Sequence, residues 1–137
     1  MIPKFRVFDK KYKKIMKVNE INFEKSSVWI ESDSGGHENR HTLTRGFDEV
    51  IIMQSTGLHD DQGVEIFEGD IVNVDRTFRN PMTGSGTLTL NKNFEVVFIN
   101  GMFTRDGSSM GLSKDLNYLT VIGNVHQHPE LLEVTDE

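Results

Sequence analysis

Asp60, Asp61, Glu65, Glu68, Asp70 and Asp75 crowd into one short stretch of this 137-residue chain, a carboxylate density that could hold a divalent cation. Their spacing lacks the regular oxygen ligands, central glycine and closing glutamate of a calcium loop, so turn and surface carboxylates without a bound metal are expected. Histidine offers a second route to a metal. His126 and His128 would share one face of an extended strand, and His37 and His41 stand across a glycine-rich loop. A zinc site needs three or four convergent ligands with a second shell, and the sequence places no third one, so surface or capping histidines are the expectation. Gly107-Ser108-Ser109-Met110-Gly111 has the outline of a nucleophile turn but lacks the strand and helix that would present its serine. There is no phosphate-cradling glycine loop, dinucleotide fingerprint or zinc-protease helix. Zero cysteines exclude disulfides, thiolate metal sites and thiol nucleophiles. The chain therefore reads as a non-enzyme with no cofactor.

Charge gives a different signal. Residues 1–17 contain Lys4, Arg6, Lys10, Lys11, Lys13, Lys14 and Lys17 against Asp9 alone, a net charge of +6, whereas the rest of the chain holds 8 basic and 20 acidic side chains. A basic end on an acidic body can steer toward a polyanion or toward the acidic surface of a second copy. Lysines at hairpin tips also keep strand edges from pairing between molecules, which is the more ordinary reason for them. With 36% hydrophobic and 26% charged residues and 3 prolines, the composition is that of a folded soluble protein. A chain of this length buries roughly two thirds of its unfolded surface. No apolar run approaches the roughly 20 residues that cross a bilayer, and the charged start is followed by no apolar leader segment. A cytoplasmic protein without membrane contact is expected.

The elements that would position these residues are mostly strands. Phe5 to Phe8 and Ile15 to Val18 frame an Asp9-Lys10-Lys11-Tyr12-Lys13 turn, and Val28-Trp29-Ile30 and His41 to Thr44 flank a polar loop with Gly35 and Gly36. Phe47 to Gln54 is a short apolar run whose second half reads as strand. Thr56-Gly57-Leu58 is expected to break that strand. Asp60-Asp61-Gln62-Gly63 fits a turn closed by a left-handed glycine, and Asp70 after Gly69 can cap a turn through backbone N–H groups. Thr77 to Ser85 reads as a long loop, followed by strands at Thr87 to Leu90 and Phe94 to Ile99 joined through Asn91-Lys92-Asn93. Asn100-Gly101 signals a tight hairpin before Met102. Leu119 to Val125 supplies the last strand, with short helical turns near Ser113 to Leu116 and from Pro129. The expected architecture is mainly β: a small N-terminal β subdomain over residues 1–55 and an SH3-like barrel over 56–137. Its barrel core would draw on Ile66, Ile71, Val72, Val74, Val96, Phe98, Val121 and Val125.

The stretch from Met53 to Val72, with Met53-Gln54, Thr56-Gly57-Leu58, Asp60, Gly63, Glu65-Ile66 and Glu68-Gly69-Asp70-Ile71-Val72, resembles the core of the YopX family of phage and prophage proteins. The opening Phe5-Arg6-Val7-Phe8-Asp9 and the endings Val121-Ile122-Gly123-Asn124 and Pro129-Glu130-Leu131-Leu132 are similar to that family too. Departures are mild: Ser55 stands where an aromatic is frequent, and Gln127-His128 replaces Glu-Asn before the proline. The resemblance implies a phage or prophage origin, a predominantly β fold with an SH3-like barrel, and an accessory role in infection or lysogeny. It implies no active site.

Two functions from different classes follow. The first is a protein-interaction or self-assembly module that meets a phage or host protein, or another copy of itself. Its candidate surface comprises the hairpin lysines Lys10, Lys11, Lys13 and Lys14 together with Phe78, Arg79 and Met82, by analogy with loops that flank the groove of SH3-like barrels. Exposed Trp29, Phe78, Met82 or Phe103 would favour it, since aromatic and methionine side chains concentrate at contact centres. The alternative is a nucleic-acid-associated protein using the basic hairpin.

Overall fold

A computed structural model of the chain describes residues 2–32, 41–80, 82–108 and 110–133. The protein is mainly β, with two antiparallel sheets, and among the described residues its only helical segments are short 3-10 turns. The chain divides into two compact units, Met1–Ser55 and Thr56–Glu137.

In the first unit β1 (Phe5–Asp9), β2 (Lys14–Asn22), β3 (Ser27–Ser32), β4 (His41–Gly46) and the start of β5 (Val50–His59) line up in the order β4-β3-β2-β1-β5. Period-two alternation explains which side chains go in. Val28 and Ile30 are buried while Trp29 between them faces outward, and Val7, Met16 and Val50 complete the cluster. The β1–β2 turn is fastened by Asp9. Its buried carboxylate accepts the Tyr12 N–H at 2.9 Å and Arg45 Nε at 2.9 Å, while its carbonyl accepts the Lys13 N–H at 2.7 Å. Hydrogen bonding to Asp9, opposed by burial, holds the Arg45 guanidinium above its ordinary pKa.

In the second unit β7 (Asp70–Arg79), β8 (Thr87–Ile99), β9 (Met102–Arg105) and β10 (Leu119–Asn124) form a sheet of order β10-β7-β8-β9. This order is open, with β9 and β10 at its edges, and no closed barrel forms among the described residues. β6 (Glu65–Phe67) lies beside β5 in the other sheet. Ile66, Val72, Val74, Val96, Leu112 and Leu119 make the core. Ile71 is fully buried as well, so β7 is covered on both faces at its start.

Several sequence expectations are corrected here. Phe98 is 54% exposed, because it sits one step from the Asn100-Gly101 turn, past the end of the core, where it leans on Phe103 at 4.9 Å. Val121 is half-buried and packs against the core as expected, whereas Val125, also half-buried, is not part of that cluster. Thr56-Gly57-Leu58 does not end β5: the strand runs on to His59, with Gly57 taking φ 76 within it. Thr77, Phe78 and Arg79 belong to β7 rather than a loop, each opposite a residue of β8. Asn91-Lys92-Asn93 does not interrupt β8, because the Asn73 side-chain amide across the ribbon donates to both Asn91 Oδ1 and Asn93 Oδ1 at 2.9 Å. His126 lies beyond the end of β10, so it shares no strand face with His128. His37 lies outside the described residues.

Gly123 shows how tightly the C-terminal turn closes. A Cβ there would meet His128 Nδ1 at 2.7 Å and Leu131 Cδ1 at 3.1 Å.

Candidate interaction surface

Much of the residue pattern that looks functional is consumed by backbone bonding. Asp60 Oδ1 accepts the N–H groups of Gln62 and Val64 and its Oδ2 accepts that of Val121, all at 2.8 Å. Asp70 Oδ2 accepts the Phe67 N–H at 2.8 Å. Asn124 Oδ1 accepts the N–H groups of His126 and Gln127, and the Asn124 N–H donates to His128 Nδ1 at 3.2 Å. The Asn93 amide donates to the Leu131 carbonyl at 2.9 Å, tying the last 3-10 turn, Pro129–Leu132, to β8. These residues fix turns between strands. Among the described residues no three histidine or carboxylate side chains converge as a metal site would require, and no helix is long and apolar enough to cross a membrane.

The candidate surface residues that face solvent form two sets, one in each unit. In the first unit Lys10, Lys11, Lys13 and Lys14 are all exposed around the β1–β2 turn. The turn is anchored a second time, because the Lys10 N–H donates to the Glu49 carbonyl at 3.1 Å and Lys10 Nζ to the Asp48 carbonyl at 3.0 Å. Beside it, Tyr12, Lys14, Met16, His41 and Leu43 line a hollow of about 500 Å³. An apolar floor with tyrosine, lysine and histidine at the rim suits an acidic side chain.

In the second unit Phe78, Arg79 and Met82 lie at or near the outer end of the β7–β8 hairpin. Met82 is 89% exposed at the connecting loop and Phe78 37%. Sequence reasoning missed Asp115, which accepts from Arg76 at 3.3 Å and Arg105 at 3.1 Å and locks both cations against the sheet. No local signal betrays that pairing, since the partners lie far apart in the chain. It also missed the shallow groove of about 520 Å³ lined by Asn73, Asn91, Lys92, Asn93 and Leu131. Trp29 is exposed as the interaction reading requires, whereas Phe103 is half-buried.

With turns, anchors and signature residues placed, the family question has an answer. A model of the YopX protein family matches residues 4–133. The chain belongs to the YopX family. This YopX chain is also similar to a solved structure, the crystal structure of protein EF1440 from Enterococcus faecalis, at 28% sequence identity and a TM-score of 0.65, over 97% of this chain and 99% of that one. No curated protein gives a significant match. The signature residues of this YopX chain thus have structural work to do.

One acidic side chain sits against its own charge. Desolvation raises the pKa of Glu95, and nearby Asp106 and Glu68 raise it further. A folded-state pKa above the unfolded one means that ionised Glu95 disfavours the fold, increasingly so as pH rises through that value. Glu95→Gln is therefore expected to melt higher than wild type at neutral pH, with the gap narrowing in mild acid. Thermal denaturation followed by circular dichroism at both pH values checks this, and an equal gap at both would contradict it.

Proposed function

We propose that this YopX-family chain is a non-enzymatic interaction module of phage or prophage origin that acts in the cytoplasm of a bacterial host, its basic hairpin docking on acidic protein surfaces and first on another copy of itself. In this reading the second unit is an SH3-like module whose loops receive a phage or host protein. The single observation that carries the proposal is charge segregation around a rigid turn. Met1–Ser55 holds 10 basic and 8 acidic side chains, whereas Thr56–Glu137 holds 5 and 13. The four turn lysines face solvent on a backbone held by Asp9 and by the Asp48 and Glu49 carbonyls. A fixed turn loses little backbone freedom on docking, and complementary potentials orient the encounter.

The same lysines could meet nucleic acid, but the acidic remainder of the chain repels a polyanion and makes that the second reading. Multi-angle light scattering across a salt series separates the two. Wild type is expected to exceed the monomer mass at low salt and to return to it at high salt. Lys11→Glu with Lys14→Glu should stay monomeric throughout. These two positions leave the Lys10 anchor intact, so the fold is kept. A wild-type chain that is monomeric at every salt concentration would contradict self-association.

A further inference from the structure

The hollow beside the β1–β2 turn opens on the core-bearing face of the first sheet. Side chains two apart on a strand share a face, and the pairs Val18↔Ile30 and Ile30↔Leu43 place Lys14 and Met16 of β2, Ser32 of β3 and Leu43 of β4 on one side. Val28 and Ile30 on that side are fully buried, whereas near the Ser32↔His41 pair the face opens into about 500 Å³. Met16 at its floor is buried, and Tyr12 at its rim is exposed. The Arg45 guanidinium lies over the Tyr12 ring at 5.1 Å and is itself bonded to Asp9, so that wall is held in place.

The lining combines a lysine, a histidine and the hydroxyls of Tyr12, Ser32 and Thr42 with two apolar side chains, and holds no carboxylate. Of the carboxylates nearby, Asp9 is bonded to Arg45, and Glu49 accepts the Gly46 N–H at 2.8 Å. Along the chain that borders the hollow, Lys11, Lys13, Lys14 and Arg40 outnumber Asp33 and Glu38. A site of this size and make-up selects a short stretch with an apolar side chain between carboxylates.

The chain carries such a stretch. Residues 116–137 hold four acidic side chains and neither lysine nor arginine. Glu133 is exposed where the chain leaves the last 3-10 turn, which Asn93 ties to β8. Val134, Thr135, Asp136 and Glu137 follow it, up to roughly 14 Å of extended chain. Residues 61–65 also set an exposed valine between acids, but there Asp60 takes the Gln62 and Val64 N–H groups and Asp61 accepts the Thr120 hydroxyl at 2.9 Å. That turn is already committed.

We propose that the hollow receives residues 133–137 of a second copy, with Val134 over Met16 and Leu43 and the carboxylates of Glu133, Asp136 and Glu137 meeting Lys14, His41 and the turn lysines. This rests on the self-association proposed above and names its receptor and its ligand. Each copy carries both halves, so a closed two-fold pair makes the contact twice.

Light scattering of full-length chains at low salt tests it by exchanging the charges. Lys14→Glu with His41→Glu reverses the hollow, and Glu133→Lys with Asp136→Lys and Glu137→Lys reverses the segment. Each variant alone should be monomeric, because like charges then face each other. An equal mixture of the two should associate again, since each offers the half that the other matches. Val134→Ser in the otherwise wild-type chain should weaken self-association about tenfold, the loss expected from withdrawing one buried valine. Lys14, His41 and Glu133 are exposed, and matching melting curves verify that every variant is folded. A segment-reversed chain that associates as wild type does, while Lys11→Glu with Lys14→Glu stays monomeric, would overturn this inference and leave self-association through the hairpin standing. A mixture that stays monomeric would overturn it too. Wild type monomeric at every salt concentration would remove self-association itself, and this inference with it.

Discussion

Asp60→Ala is expected to lower the unfolding free energy by about 3 kcal/mol, because three backbone N–H groups lose their acceptor at once and each stranded donor costs about 1–3 kcal/mol when water cannot replace it fully. For a chain of this size that corresponds to a fall of roughly 10 °C in melting temperature. Asp60→Asn keeps one acceptor oxygen and should fall between the variant and wild type. The same carboxylate carries a pH signature. Burial works to raise its pKa, but hydrogen bonds from the Val121, Val64 and Gln62 backbones outweigh burial and hold it below the ordinary carboxylate value. A folded pKa below the unfolded one gives stability that is fully present above about pH 4 and lost as pH falls through the folded value. Chemical denaturation from neutral pH into acid should therefore show wild type losing more stability than Asp60→Ala. Parallel pH profiles would mean that the three bonds leave the carboxylate's titration unshifted.

Leu119→Ala should cost as much by a different mechanism. Leu119 is fully buried in the cluster with Ile66, Val72, Val74, Val96 and Leu112, and truncating a leucine in such a core costs about 2–5 kcal/mol through lost transfer energy and the cavity left behind. Leu119→Met conserves volume and should cost less than about 1.5 kcal/mol. Urea unfolding of the three proteins checks the ordering. Near-equal losses for alanine and methionine would show a core that collapses onto the gap.

The turns were legible because their chemistry is local. Asp60 with Gly63, Gly69 with Asp70, and Asn100 with Gly101 each act within a few residues, and glycine at positive φ completes all three. The β1–β2 hairpin was legible from the alternation on either side of its lysines. What escaped depends on partners distant in sequence. Asn91-Lys92-Asn93 has the composition of a turn, and only Asn73 on the neighbouring strand turns it into a continuation of β8. Thr77-Phe78-Arg79 was drawn toward the loop by the Asn80-Pro81 and Gly84 signals next to it, although β-branched and aromatic residues with a cross-strand partner remain paired. Phe98 has the parity of a core residue but stands past the end of the core, which alternation cannot register. Leu112 reaches the core from a 3-10 turn, outside any strand pattern. The exposed sets, the hairpin lysines and Phe78, Arg79 and Met82, were readable as residues; the long β7–β8 pairing that carries the second set was not.

The most direct test of the interaction proposal is zero-length carbodiimide cross-linking of an equal mixture of isotope-labelled and unlabelled chains at low salt, followed by mass spectrometry. Mixed-isotope cross-links joining Lys10, Lys11, Lys13 or Lys14 of one copy to carboxylates of Thr56–Glu137 of another are the predicted result, and they should vanish at high salt. Cross-links confined to single chains, in a sample that is monomeric at every salt concentration, would contradict it.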